Sequence, residues 1–241
     1  MKYFVVSDIH GQYDMLINAI NEAGFKTDDP THKLVICGDL FDRGEQNDLV
    51  YHYIRRLQDK GLNNIVVIKG NHEEFFHYIL DGQIKDERIF SNLIRNGFGK
   101  TLVSFTKLDI NEIKKNIKHL QKIITANYPD LFDWINHLPY YYETKDYVFT
   151  HAGIDIYARD WRQGNWSEQV WNILSSYQHI NLKNHGFTKK LVMGHYYTSR
   201  LTNQENNDIF FHPDGQKIFI DGGAAKGEQV NVLVIEDEEL N

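Results

Sequence analysis

The stretch Lys33-Leu34-Val35-Ile36-Cys37-Gly38-Asp39-Leu40-Phe41-Asp42-Arg43-Gly44 decides how this chain folds. A compact Val/Ile run reads as a buried parallel strand, and it stops at a glycine followed by charged residues. The same pattern stands on either side. Lys2–Ser7 runs into Asp8-Ile9-His10-Gly11, and Asn64–Lys69 runs into Gly70-Asn71-His72-Glu73. Between these runs Tyr13, Leu16, Ile17 and Ile20 recur at helical spacing, as do Leu49, Val50, Tyr53, Ile54 and Leu57. The opening is therefore βαβαβ, and the chain belongs to the α/β class.

From about Glu73 to Glu143 the strand signal disappears. Ile113, Ile117, Leu120 and Ile124 make one helical stripe, with Lys114, Lys115, Lys118 and Lys122 on the other side. A lysine face of this kind reads as solvated. We expect one domain over residues 1–241 carrying a helical insertion at about 74–143. Strands should return at Tyr147–Thr150 and Lys189–Met193. A hairpin should follow, Asp208–His212 and Lys217–Asp221, turning through Pro213-Asp214-Gly215. A last strand, Gln229–Ile235, precedes an acidic tail that should fray.

With 41% hydrophobic and 24% charged residues, the 241-residue chain can bury a substantial core. A formal charge of −7 argues against a general nucleic-acid binder, which needs a basic surface to displace counterions. It does not exclude phosphorylated substrates, because bound divalent cations reverse the field of a site. The single cysteine, Cys37, reads as a packed strand residue. The N-terminal run has no apolar core of a secretion signal, and no stretch is long enough to span a bilayer, so a cytoplasmic protein is expected.

Polar residues follow nearly every expected strand. Besides the three groups above, His151-Ala152-Gly153 follows the fourth strand and Gly194-His195 the fifth. In α/β sheets ligands bind at the carboxyl ends of strands, so these groups should converge. Carboxylates, imidazoles and an amide oxygen without thiolate suit manganese, iron or zinc in a mixed O/N shell. Taken singly, each fragment could be a turn or a helix cap, as Asp39 and Asp42 could be for a helix starting near Glu45. Five fragments at five strand ends make that explanation poor. Six ligands, Asp8, His10, Asp39, Asn71, His151 and His195, exceed the needs of one open ion and fit two.

In their order and spacing, Asp8-x-His10, Gly38-Asp39-x-x-Asp42-Arg43-Gly44, Gly70-Asn71-His72-Glu73, His151 and Gly194-His195 resemble the calcineurin-like metallophosphoesterases. Within them the series looks like the phosphoprotein phosphatase branch, which holds bacterial and phage serine/threonine phosphatases and symmetrical diadenosine tetraphosphate hydrolases. Ile220-Asp221-Gly222-Gly223 resembles the closing strand and turn.

The resemblance implies a sandwich of two sheets flanked by helices, which the strand count alone does not distinguish from one doubly wound sheet. It implies that Asp8 and His10 hold a first metal, that Asp39 bridges, and that Asn71, His151 and His195 complete the second. Two cations about 3.5–4 Å apart would give a bridging hydroxide at neutral pH that attacks phosphorus in line. By the same resemblance His72 protonates the departing oxygen and Asp42 orients its imidazole, while Arg43 offers a planar fork to phosphate oxygens. Lys69 stands where relatives often carry Arg. One departure concerns substrate. In phage and related bacterial phosphatases a binding Arg follows a Trp-Asn pair, whereas Trp171-Asn172 is followed here by Ile173. Arg159 or Arg162 could substitute, though a surface position suits each better.

The expectation is thus a dinuclear, metal-dependent phosphoesterase with manganese the first choice of metal, hydrolysing phosphomonoesters: phosphoserine or phosphothreonine in proteins, as a serine/threonine protein phosphatase does, or small phosphoesters. Dinucleoside polyphosphate hydrolysis is the rival reading. A non-catalytic metal-binding relative is the reading from another class. Neither nucleic acid nor a membrane is expected as partner.

Overall fold

The first strand already requires two layers. In the computed structural model, which describes residues 1–61, 64–155, 158–168, 170–171 and 188–239, strand β1 (Lys2–Val6) buries both faces. Tyr3 and Val5 point one way, into a cluster with Val35, Cys37, Phe149, Val192 and Ile218. Phe4 and Val6 point the other way, into a cluster built largely with helices. Alternation along a strand gives two apolar faces only if something covers each.

Strand β2 (His32–Cys37) and strand β3 (Ile65–Ile68) join β1 in parallel, and the C-terminal β9 (Leu233–Glu236) joins it antiparallel, giving the order β3-β2-β1-β9. A second sheet contains β4 (Tyr141–Glu143), β5 (Tyr147–Thr150), β6 (Lys190–Met193), β7 (Phe210–Phe211) and β8 (Lys217–Phe219), ordered β4-β5-β6-β8-β7. Its central strands β5, β6 and β8 are parallel. The two sheets face each other across the Tyr3 and Phe149 layer, so the architecture is a two-sheet sandwich flanked by helices. Each large side chain in that layer contributes about 1.5–3 kcal/mol, and a one-residue slip would exchange the inner and outer sets. The register is therefore strongly specified.

Helices α1 (Tyr13–Glu22) and α2 (Asn47–Asp59) connect the first strands and cover the outer face through Leu16, Ile20, Val50, Ile54 and Leu57. After β3 come α3 (His77–Leu80), α4 (Glu87–Arg95), α5 (Phe98–Thr106), α6 (Ile110–Lys115), α7 (Leu120–Asn127) and α8 (Leu131–Asn136). Asp86 caps α4 by accepting from the N–H groups of Arg88 and Ile89, and Asp109 and Glu112 form a capping box on α6. Ile113, Leu120 and Ile124 are buried while Lys114, Lys115, Lys118 and Lys122 are exposed, which is the orientation their spacing requires.

Two expectations need correction. The segment from Glu73 to Glu143 is not helical to its end, because Tyr141–Glu143 forms strand β4, antiparallel to β5. Three residues are too few for period-2 alternation to register. The acidic tail does not fray as far as Glu239. Asp237 accepts from the hydroxyl of Thr144 and the N–H of Asp146, Glu238 pairs with Lys145 at 2.8 Å, and Glu239 meets the buried Lys33. Among the described residues, no helix is long and apolar enough to cross a membrane.

Candidate metal centre

The loops after β1, β2, β3, β5 and β6 meet at one edge of the sandwich. Backbone bonds join them in pairs. The N–H of Asp8 donates to Gly38 O at 3.1 Å and that of His10 to Asp39 O at 3.0 Å, while Gly194 N–H donates to His151 O at 2.9 Å. The backbone there is strained. Among the described residues, six of the eight non-glycine positions with positive φ are Asp8, His10, Asp39, Asp42, Arg43 and His195. A left-handed conformation costs an L-residue roughly 1–2 kcal/mol, and it persists only where packing imposes it. Two glycines give the side chains room: a methyl group at Gly70 would overlap the Asp39 carboxylate, and one at Gly194 would overlap that of Asp8.

The carboxylate of Asp39 sits at the centre. Its Oδ2 is 3.6 Å from His10 Nε2, and its Oδ1 is 3.4 Å from His151 Nε2. Two ligand groups share it: His10, Asp39 and His72 form one, and Asp39, His151 and His195 the other, each with ligand atoms within 4.8 Å of one another. Asn71 joins the second group through Oδ1, 2.9 Å from His151 Nε2, which is itself 3.0 Å from His195 Nδ1. Asp8 lies beside them and accepts from the His195 N–H at 2.9 Å.

The donor set fits divalent cations on two counts. His10 and His151 each place Nδ1 2.9 Å from a backbone carbonyl, of Phe41 and Cys37 respectively. If those nitrogens donate, both Nε2 lone pairs are left for a metal, the usual orientation of ligating histidines. The electrostatics agree. Burial, then the neighbouring Asp8 charge, hold Asp39 well above the ordinary carboxylate range, and burial also raises Asp8. Burial pushes the imidazoles of His10 and His195 well down. Crowded carboxylates beside neutral imidazoles are what a bound cation relieves.

On the first group's side, His72 places Nδ1 2.5 Å from Asp42 Oδ2. Asp42 is fully buried and receives the Thr101 hydroxyl, and its own N–H donates to Asn47 Oδ1 at 2.8 Å. The Arg43 fork reaches His10 Nε2 at 3.1 Å and His72 Nε2 at 3.0 Å. Lys69 turns elsewhere: its ammonium is 3.5 Å from Glu74, 3.4 Å from the Asn136 carbonyl and 5.2 Å from the Tyr140 ring centre. Arg162 is forked onto Glu143, Arg159 is exposed, and Asn172 and Ile173 lie outside the described residues.

Sequence reasoning assigned no role to three groups that hold this site. Glu73, fully buried, accepts from the N–H groups of Asp39 at 3.0 Å, Leu40 at 2.9 Å and Gly70 at 2.7 Å, tying the second strand's loop to the third's. Its position in Gly70-Asn71-His72-Glu73 was the available signal. Asp221, buried close to Asp8, accepts from the Gly223 N–H at 2.9 Å, and burial followed by the Asp8 charge raises it. Thr101 lies 59 residues from Asp42, and nothing local marks it.

A buried carboxylate shared by two imidazole groups, at the C-terminal rim of paired sheets and beside an arginine fork, has the composition of a dinuclear metal site. The chain belongs to the calcineurin-like phosphoesterases, whose family model matches residues 1–220. That family uses a dinuclear divalent metal centre, which the His and Asp clusters here fit. Among curated proteins, the asymmetrical bis(5'-nucleosyl)-tetraphosphatase PrpE of Bacillus velezensis is 33% identical over 92 residues, 35% of this chain and 36% of that protein. PrpE of Bacillus subtilis is 27% identical over 161 residues, 64% of this chain and 58% of its own. The chain thus spans between about a third and three fifths of these relatives. A serine/threonine phosphatase structure from Saccharomyces cerevisiae, with similarity to human phosphatase PP5, shares the fold at a TM-score of 0.58 and 16% identity, covering 100% of this chain and 81% of that one.

Proposed function

We propose that this chain hydrolyses phosphate esters at a pair of divalent cations, manganese being the metal we favour. The shared Asp39, with Arg43 and His72 beside it, is the observation that carries the reading. When bound, the cations supply an activated water and neutralise charge on the phosphoryl oxygens. Asp8, His10, Asp39, Asn71, His151 and His195 would hold them.

The chain's own residues do the rest. The Arg43 fork lies within hydrogen-bond reach of Nε2 of His10 and of His72; the His10 lone pair would hold a cation, and a phosphoryl group arriving there offers the fork two better acceptors. His72 is then left with Nε2 facing the substrate and Nδ1 held by Asp42. Burial, then Arg43, hold His72 well below its ordinary pKa. A dianionic phosphate that draws off the guanidinium works in the opposite direction and favours the imidazolium. A proton on Nε2 would then pass to the departing oxygen.

For the substrate, the names of the curated relatives and the space beside His72 favour dinucleoside polyphosphates over phosphoserine or phosphothreonine in proteins. Terminal phosphomonoesters remain the second reading, because the Arg43 fork suits two non-bridging oxygens. Manganese-loaded protein should release phosphate or nucleotide from at least one of three substrates: a phosphopeptide, a dinucleoside tetraphosphate and p-nitrophenyl phosphate. Turnover of none of them, with two metals bound per chain, sinks the enzymatic reading and leaves the metal-binding one.

A further inference from the structure

Two cavities open on Arg43. The larger, about 940 Å³, runs along Ile94, Val103, Leu108 and Ile110 and has none of the metal-ligand candidates in its wall. The smaller, about 540 Å³, includes both Asn71 and His72 in its wall. Whatever departs from the reacting phosphorus past His72 enters the smaller one. Size alone does not select the site; the position of the proton donor does.

Its volume lies within the range of small-molecule sites. A serine or threonine leaving group fills a small part of it. Its walls come mainly from the helical insertion: Tyr78 on α3, Arg88 and Asn92 on α4, with Trp171 closing it. The Trp171 ring packs on Phe75, with centres 5.4 Å apart, and Phe75 packs edgewise on His72 at 4.9 Å. An aromatic wall thus runs continuously from the imidazole to the cavity. Asn92 offers an amide donor and acceptor together. The Arg88 side chain is 94% exposed, and its ion pair to Asp86 is loose at 3.7 Å. Such a pair is worth little, so the guanidinium is free to meet an anion.

We propose that this cavity is a nucleotide subsite, taking the leaving nucleoside phosphate with its base against Trp171 and Tyr78, its base edge at Asn92 and its phosphates between Arg43 and Arg88. This rests on the hydrolytic reading above. In the reaction the oxygen of water bonds to phosphorus and the bridging P–O bond breaks. The departing phosphate oxygen keeps the electron pair. One proton of water goes to that oxygen by way of His72 and the other to solvent.

The test is calorimetric titration of adenosine 5'-monophosphate, and separately of inorganic phosphate, into manganese-loaded protein. Stacking on an aromatic side chain should make the nucleotide bind at least about tenfold tighter than phosphate. Trp171→Ala and Asn92→Ala should each remove most of that advantage, whereas Trp171→Tyr should keep it. Asn92 is exposed on α4, so its variant tests the subsite even if Trp171→Ala fails to fold. The proposal is overturned if adenosine monophosphate binds no tighter than phosphate, or if its advantage survives both alanine variants. Failure of the hydrolytic reading looks different: nucleotide-selective binding persists, but no ester is turned over.

Discussion

The strand ends and the helical insertion are built on opposite terms. At the strand ends the side chains are buried, six sit on left-handed backbone, and Asp39, Asp42 and His72 are each fixed by two or more partners. On the insertion, Arg88 and Asn92 stand exposed on a regular helix, held by local bonds. The first region spends stability on position and the second does not. Groups that do chemistry have to be held to fractions of an ångström, whereas groups that choose among substrates can change without disturbing the core. One metal centre can in this way serve different phosphoesters.

Asp39→Asn is the harshest test of that division. A carboxylate shared by both groups serves each ion, so losing its charge should cost more than the roughly 10–100-fold in affinity typical of a supporting residue. Asp8→Asn should cost less, since Asp8 lies outside both shared groups. Titrating manganese into the two apo-variants measures the difference. Equal losses would mean that Asp39 serves one ion only.

His72→Asn asks whether the region's reactivity can be divided from its metal binding. Proton transfer contributes about 10²–10⁴-fold where the leaving oxygen is strongly basic. Turnover of a phosphoserine peptide should fall by that order, and turnover of p-nitrophenyl phosphate far less, because nitrophenolate leaves without a proton. Asp42→Asn should repeat the pattern more mildly. Geometry alone would let His72 ligate, since its Nε2 is 3.9 Å from Asp39 Oδ2. Metal content therefore decides: loss of one ion per chain in His72→Asn would make it a ligand and end its assignment as an acid.

A smaller effect is expected at Glu73. Its carboxylate accepts three backbone N–H groups, and Glu73→Gln keeps one acceptor oxygen while turning an amide N–H₂ toward donors. An unsatisfied buried donor costs about 1–3 kcal/mol. Burial, then Asp39, push the Glu73 pKa up to about 8, so near pH 7 the carboxyl is largely protonated and the neutral amide removes little charge. Urea unfolding of the apo-protein should show a net destabilisation within that range and no change in slope. An unchanged midpoint would show that the loops hold Asp39 without Glu73.

Much of this was legible in the sequence for a physical reason. Buried parallel strands leave unbroken Val/Ile runs, and a strand-end site must place glycine and ligand types directly after them, as Gly38-Asp39 and Gly194-His195 do. The sandwich was not legible that way, because strands buried on both faces read alike in one sheet or two; the resemblance supplied it. Left-handed φ at Asp8 or Arg43 has no mark in residue type, since neither is glycine. The Thr101 contact to Asp42 depends on how α5 docks, and the cavity wall on where α3 and α4 lie. Both are tertiary facts, which a helical stripe does not specify.

The smallest effect is expected at Arg162, one of two cations the sequence offered in place of an arginine at Ile173. In the fold its fork is taken by Glu143, with Nη2 to Oε1 at 2.6 Å and Nε to Oε2 at 3.0 Å, and its guanidinium lies 4.5 Å from the Trp161 ring centre. Lys189 holds the same carboxylate at 2.7 Å. Burial raises the Glu143 pKa, but Arg162 and Lys189 outweigh it and leave the group below its ordinary value. A depressed carboxylate contributes stability above its unfolded pKa and loses it as pH falls through the folded one. Arg162→Ala should therefore cost little at neutral pH, about 1 kcal/mol or less because the side chain is 43% exposed. The difference from wild type should shrink as pH falls through the depressed pKa of Glu143, where the carboxylate that Arg162 pairs with takes up its proton. Over the same preparations kcat/KM for a phosphopeptide should stay within about twofold, since among the described residues no hydrogen bond or ion pair joins this pair to Arg43 or His72, and independent sites act additively. A rise in KM of tenfold would place Arg162 at the phosphate and erase the line between the two regions. Thermal melts from pH 3 to 8, beside steady-state kinetics at pH 7, measure both halves.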